Sequence, residues 1–367
     1  MQPIRLRKLV FTLHRYVGLA VGLILVVIGL TGSLLVFEPE LDRALIHAQF
    51  GNIVPQSQQV SIPSVVDKIK SAKPDWAVRG IDTPITPDDA MQVTIESPNK
   101  PDLEVLVNPY TGQIIGERIR DRTLTGFLLM FHYTLAAGDA GIAIAGIAAL
   151  LLFILSLTGI CLWSGWRKLI SGFKIKWNGH IKRVNFDIHK VIGIVAAIFL
   201  ALTGITGFGW NFYPQVDPLI YAATFTPQPI EATSKFIPNT PTVTLTQVLQ
   251  RADAALPGTK TTYVNLPATS DGVFQINKQF PEERDLFRSR VYIDRYTGEV
   301  VQVRDSRHLR LGDQVVDAFT PLHFGTFGGL PTRIIYVFVG LAPTILLATG
   351  FIMWRCRKPR YKTKACK

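Results

Sequence analysis

Four uncharged apolar runs, 16–37, 140–166, 191–216 and 334–354, alternate with two long mixed segments, about 38–139 and 217–333. Each run holds the ~20 residues that a helix needs to cross a hydrocarbon core ~30 Å thick, so the pattern predicts four spans. The first run follows the basic stretch RLRK but is longer than the ~7–15-residue apolar core of a signal peptide and lacks a small-x-small cleavage site; it reads as a retained anchor. Within the mixed segments, VLVNPYTGQIIGERI (105–119) and VYIDRYTGEVVQVRD (291–305) alternate apolar and polar residues around a Tyr-Thr-Gly turn, which predicts a β-hairpin in each. Ahead of each lies a helix-like piece, IPSVVDKIKSA and TLTQVLQRADAAL, with a helix start residue or proline at its head.

The same pattern occurs twice. At an offset of 175 the first and third runs match at Phe11/Phe186, His14/His189, Gly18/Gly193, Thr31/Thr206, Gly32/Gly207, Phe37/Phe212 and Pro39/Pro214. At an offset of 191 the second and fourth match at His132/His323, Gly138/Gly329, Thr158/Thr349, Gly159/Gly350 and Trp163/Trp354. The reading is a four-helix transmembrane bundle from a tandem duplication, each half being span, small α+β outer domain, span. The expected boundaries are 1–37 (N-terminus and span one), 38–131 (outer domain one), 132–166 (outer His segment and span two), 167–189 (basic loop), 190–216 (span three), 217–322 (outer domain two), 323–354 (outer His segment and span four) and 355–367 (basic tail).

Charge orients this arrangement. The N-terminal stretch, the loop and the tail hold 18 of the 39 Lys and Arg residues and a single acid, Asp187. Basic segments stay in the cytoplasm, so both termini are expected there and the two mixed segments outside, in a bacterial inner membrane. The overall charge of +12 is therefore concentrated on one face, where anionic lipid is its natural partner; no nucleic-acid role is expected. Of the three cysteines, Cys161 falls in the second span and Cys356 and Cys366 in the tail, which leaves the outer domains without a disulfide framework.

A helix followed by strand, Tyr-Thr-Gly and strand resembles the PepSY module. The His-[Arg/Lys]-x-x-Gly entry to spans one and three, with Thr-Gly-x-x-x-Trp closing spans two and four, is similar to the membrane part of the PepSY-associated transmembrane proteins. The resemblance covers nearly the whole chain and is greatest to the FoxB-type inner-membrane proteins. It implies a haem-containing reductase of ferric siderophores.

The residues carry their own argument. An imidazole in or near hydrocarbon is a functional-site hypothesis by default, and bundle cores commonly house cofactors. His14 and His189 enter their spans from the cytoplasmic side, whereas His132 and His323 precede spans two and four, on short half-helices TGFLLMFHYTL and VVDAFTPLHFG. Two pairs of iron ligands follow, each for a b-type haem held by neutral imidazoles; without a C-x-x-C-H the haems are not covalently attached. Gly32 lies 18 residues after His14, roughly 27 Å along a helix axis, so Gly32 and Gly207 reach the level of the outer pair, and Gly159 and Gly350 that of the inner pair. A missing side chain there leaves space for a ring, or simply allows close helix packing. Arg15 and Lys190, next to the inner ligands, are candidates to pair with haem propionates as well as markers of orientation; Arg122 and Arg333 are the outer-face equivalents. His180, His47 and His308 are expected at the surface.

A substrate-docking floor is expected near the outer pair, in WNFYPQVDPLIYAATF (210–225), with Tyr213 and Tyr221 as its candidate contacts. On the cytoplasmic side no G-x-G-x-x-G or flavin domain is present, so electrons come from a separate cytoplasmic donor or a membrane quinol. Two other functions stay open: a siderophore or iron permease, and a PepSY-type sensor or protease regulator without redox activity.

Overall fold

The structure is a computed structural model that describes residues 3–283 and 288–356. The basic tail beyond Cys356, with Cys366, lies outside the described residues. Helix α1 (Pro3–Leu35) is followed by α2 (Glu38–Phe50), α3 (Ile62–Ala72), strands β1 (Ala77–Asp82), β2 (Met91–Glu96), β3 (Leu103–Val107) and β4 (Ile114–Arg118), then α4 (Leu124–Thr134) and α5 (Gly138–Leu162). After a short α6 (Leu169–Phe173), the order recurs: α7 (Ile181–Asn211), α8 (Tyr213–Ala223), α9 (Leu245–Ala255), β5 (Lys260–Asn265), β6 (Phe274–Gln279), β7 (Ser289–Ile293), β8 (Val300–Arg304), α10 (Leu311–Phe324) and α11 (Leu330–Arg355).

The chain forms two compact units. The first, 1–37, 128–217 and 318–367, holds α1, α5, α7 and α11, and among the described residues these are the helices long and apolar enough to span a bilayer. The chain is therefore a multi-pass membrane protein. The four close a ring in which α1 and α7 each pack beside both α5 and α11. Small residues permit this, as expected where lipid supplies no hydrophobic drive between helices: Gly29 and Gly340 bring their backbones together, and Ser33 donates to the Val337 carbonyl at 2.9 Å. Two expected boundaries shift. Helix α7 begins at Ile181, well before the expected loop end at 189, and stops at Asn211, so residues 213–216 open α8 rather than close the span.

The second unit, 38–127 and 218–317, holds the strands. Helices α3 and α9 start as their sequences predict: Ser61 accepts from the Ser64 N–H, and Thr244 with Gln247 makes a reciprocal capping box. The two Tyr-Thr-Gly turns are built alike. Asn108 accepts from the Tyr110 and Thr111 N–H groups, and Asp294 from those of Tyr296 and Thr297. Gly112 and Gly298 then take φ of 66° and 72°, a left-handed conformation that glycine enters without penalty.

Two separate small domains were the expectation from sequence. Instead, one eight-stranded antiparallel sheet runs β4-β3-β2-β1-β5-β6-β7-β8. The seam is the β1–β5 pair, with Gly80 opposite Asn265, Ile81 opposite Val264 and Asp82 opposite Tyr263. Val65, Ile69, Val93 and Val105 share a single core with Val248, Ile276 and Val291. Joining edge to edge removes two exposed strand edges at once. Helix α2 is fastened to this unit by the buried Arg118 guanidinium, which donates to both Asp42 oxygens at 3.0 and 2.6 Å and also pairs with Glu104.

Candidate functional site: two seated histidine pairs

Within the membrane unit the four expected histidines meet in the expected pairs. The rings of His14 on α1 and His189 on α7 have centroids 6.3 Å apart, and those of His132 on α4 and His323 on α10 are 6.1 Å apart.

Each ring rests on a Thr-Gly step of a neighbouring helix. Nδ1 of His14 lies 2.8 Å from Thr158 Oγ1, that of His189 2.9 Å from Thr349 Oγ1, and that of His323 2.8 Å from Thr206 Oγ1. His132 Nδ1 is 2.9 Å from the Ile28 carbonyl and 3.3 Å from Thr31 Oγ1. The threonines fix which nitrogen carries the proton. Each hydroxyl donates its only hydrogen to a carbonyl of its own helix, at Ile154, Ile345, Leu202 and Val27 respectively. Its oxygen can therefore only accept from the histidine, so Nδ1 is the N–H nitrogen and Nε2 keeps the lone pair. Four neutral imidazoles thus present the nitrogen that binds a metal, with the opposite nitrogen tied down by a second layer of contacts.

The glycine of each step makes room for the imidazole. A Cβ on Gly32 would lie 2.8 Å from His132 Cε1, on Gly207 3.2 Å from His323, on Gly159 3.4 Å from His14 and on Gly350 3.7 Å from His189. The helix arithmetic placed these glycines at the right levels. The space they leave is occupied by the histidine edge, where the sequence offers either room for a ring or close packing of helices. The threonines, open from sequence only to a packing role, seat the rings; a Thr-Gly step at the level of each histidine is the signal for this.

Around His14 and His189 lies a cavity of about 1420 Å³, larger than the ~300–1,000 Å³ usual for small-molecule sites. Its walls are apolar, among them Leu19, Leu25, Leu152, Leu200 and Leu346, and Arg7, Lys8, Arg15, Arg167, Lys182 and Arg183 also border it.

The basic candidates separate. Lys190 is buried and committed: its Nζ lies 2.7 Å from Asp187 and donates to the Ser171 carbonyl at 3.0 Å. Asp187, fully buried, also receives Arg183 at 3.0 Å and the Lys176 N–H at 3.2 Å. This network holds the α6 loop and engages Lys190, which also borders the cavity, with Asp187 and Ser171. Arg333 donates to the Val36 carbonyl and lies over the Phe37 ring; Arg122 is exposed in the second unit.

The aromatic exit segment also divides. Trp210 packs at a tilt against His323 with centroids 4.8 Å apart. Tyr213 is 62% exposed. Tyr221 is buried, and its hydroxyl donates to Asp313 at 2.8 Å; this contact belongs to the fold, and the expected substrate role is withdrawn. His180 is exposed, as expected, and also N-caps α7 and borders the inner cavity. His47 donates to the Asp88 carbonyl at 3.3 Å, and His308 sits 3.3 Å from Asp305.

A family model described as the PepSY-associated TM region matches residues 11–357. No curated protein matches the chain.

Proposed function

The chain belongs to the PepSY-associated transmembrane family, and from that premise we propose that it is a two-haem, FoxB-like reductase of ferric siderophores. The observation that carries the reading is the common seating of four histidines. Each site offers two neutral imidazoles with ring centroids 6.3 and 6.1 Å apart, a spacing that would admit one metal ion between them. Among the described residues, no group of three or more His, Cys, Asp or Glu gathers that could hold a bare ion. A two-imidazole donor set suits a metal whose remaining ligands come from a macrocycle, and the apolar cavity suits the macrocycle.

His14 and His189 would hold one haem b, and His132 and His323 the other. Haem, when bound, supplies one-electron transfer. The protein contributes the rest. The threonines keep every Nε2 deprotonated, the glycines set ring depth, and leucine walls make the inner site largely apolar. The duplicated arrangement stacks the two sites across one bundle. The basic segments favour an arrangement with both termini in the cytoplasm of a bacterial cell and the strand-bearing unit in the periplasm. Electrons enter from a cytoplasmic carrier or a quinol. On the outer side one electron converts the substrate Fe(III) to Fe(II), which the hard oxygen ligands of a siderophore hold far less firmly. Tyr213, near Trp210 in the chain, is the candidate substrate contact.

The test is a reduced-minus-oxidised spectrum of the detergent-purified protein with haem counted per chain. Two b-type haems are expected, falling to one in His14→Ala and in His323→Ala. A haem-free protein from haem-replete cells would remove the reductase reading.

A further inference from the structure

Arg15 and Lys190 occupy equivalent places beside the inner histidines, yet their surroundings differ in kind. Lys190 is neutralised by Asp187. The position equivalent to Asp187 in the first half is Thr12, whose hydroxyl donates to the Lys8 carbonyl. Arg15 therefore has no matching acid. Its guanidinium lies 5.7 and 4.4 Å from the Phe11 and Tyr16 ring centroids, which confine it without taking its hydrogens. Its Nε is buried and has no acceptor among the described residues.

Trp163 repeats this on the neighbouring helix. It closes α5 four residues after Gly159, the glycine beneath His14, and is only 7% exposed. Its ring is held by Gly165, Gly172, Trp166 and Phe173. Its Nε1 is also buried without an acceptor among the described residues. The equivalent Trp354 is 43% exposed. Arg15 and Trp163 both line the cavity of His14 and His189. Both groups donate and neither can accept. Burying a donor unmade costs free energy that an anionic acceptor recovers, and a guanidinium and an indole N–H lining one cavity are both donors that a carboxylate can use.

We propose that Arg15 and Trp163 form a carboxylate-binding subsite on the first-half wall of the inner cavity, taking the acidic edge of the group that His14 and His189 hold. Lys190 takes no part. This rests on the haem reading, in which the carboxylates are the propionates.

The test removes the carboxylates from the ligand. The full chain carrying His132→Ala and His323→Ala, so that only the inner site is filled, is stripped and titrated with haem and with haem dimethyl ester. The ester should bind about tenfold or more weakly than haem. Arg15→Gln and Trp163→Phe should each narrow that ratio, and the pair should abolish it, while Lys190→Gln leaves it intact. A ratio within one variant is insensitive to how much of the protein folds. Equal binding of haem and ester, or a preference that survives both substitutions, overturns the subsite and leaves the haem reading standing if His14→Ala still abolishes binding. Failure to bind either porphyrin overturns both.

Discussion

The two halves of the chain are alike at the histidines and unlike one step away from them. Every ring has Nδ1 bonded to the threonine or carbonyl of a neighbouring helix, and the three direct threonine contacts differ by only 0.1 Å. One residue further out the likeness ends. Lys190 has Asp187 where Arg15 has Thr12; Trp210 covers His323 where the first half has Leu35; Asp82 on β1 faces the seam where β5 has Asn265. A seated imidazole tolerates little change in its surroundings, so both halves meet the same demand. What lies further out answers to local tasks such as tying down a loop or covering a ring.

Breaking the second half's private ion pair should produce the largest effect. Asp187→Asn leaves Lys190 buried without its counter-charge, a change that costs about 3–5 kcal/mol when a buried pair is broken. Thermal unfolding in detergent should show a large drop. Thr12→Ala, at the equivalent position, should do almost nothing, and a similar loss from both would mean that the network is not specific to the second half.

The glycine seats predict a gradient. An alanine at position 32 meets the His132 ring at 2.8 Å, whereas one at 350 has 3.7 Å. Overpacking costs about 1–3 kcal/mol, so Gly32→Ala should displace its ligand and lower haem content, with Gly350→Ala close to wild type. Equal losses would show that the glycines serve helix packing alone. Replacing the acceptor is subtler: Thr349→Val keeps the shape but lets the His189 proton move to Nε2. Loss of such a supporting contact weakens a metal site by roughly 10–100-fold. Thr31→Val should cost less than Thr206→Val, because His132 retains the Ile28 carbonyl at 2.9 Å; haem titration of each variant ranks them.

Most of the membrane unit was legible because its signals are local and repeated. Span lengths, the half-helices under His132 and His323, and the pairing of histidines all follow from apolar periodicity and two constant offsets. What escaped depends on contacts between segments far apart in sequence. That Thr158 seats His14 requires knowing that α1 packs on α5. That Lys190 is engaged requires placing Asp187, Ser171 and the α6 loop together. The single sheet was invisible for a related reason: β1 and β5 each read as a strand of their own module, and nothing in either pattern declares which edge is covered. Tyr221 read as an exposed interface aromatic until its partner Asp313, ninety-two residues away, was in place.

The seam offers the finest comparison, because Asp82 and Asn265 stand at matching places on β1 and β5, each across from a residue of the other strand. Burial pushes the Asp82 carboxyl up to about 6, reinforced by Glu104 and opposed by Arg120. Between the ordinary carboxylate value of about 4 and about 6, the folded protein holds a proton that the unfolded chain has released. Stability therefore falls as pH rises through that window, and above it the ionised carboxylate is a standing cost. Asp82→Asn, which gives the first half the second half's residue, should stabilise the full chain by about 1–2 kcal/mol at pH 7.5, since each pKa unit is worth about 1.4 kcal/mol and partial exposure reduces the total. The gain should fade to nothing near pH 4. Unfolding curves of the two proteins at both pH values decide it: a gain that persists at pH 4 would belong to packing or hydrogen bonding at the seam, and no gain at pH 7.5 would mean that Asp82 is ionised there without cost.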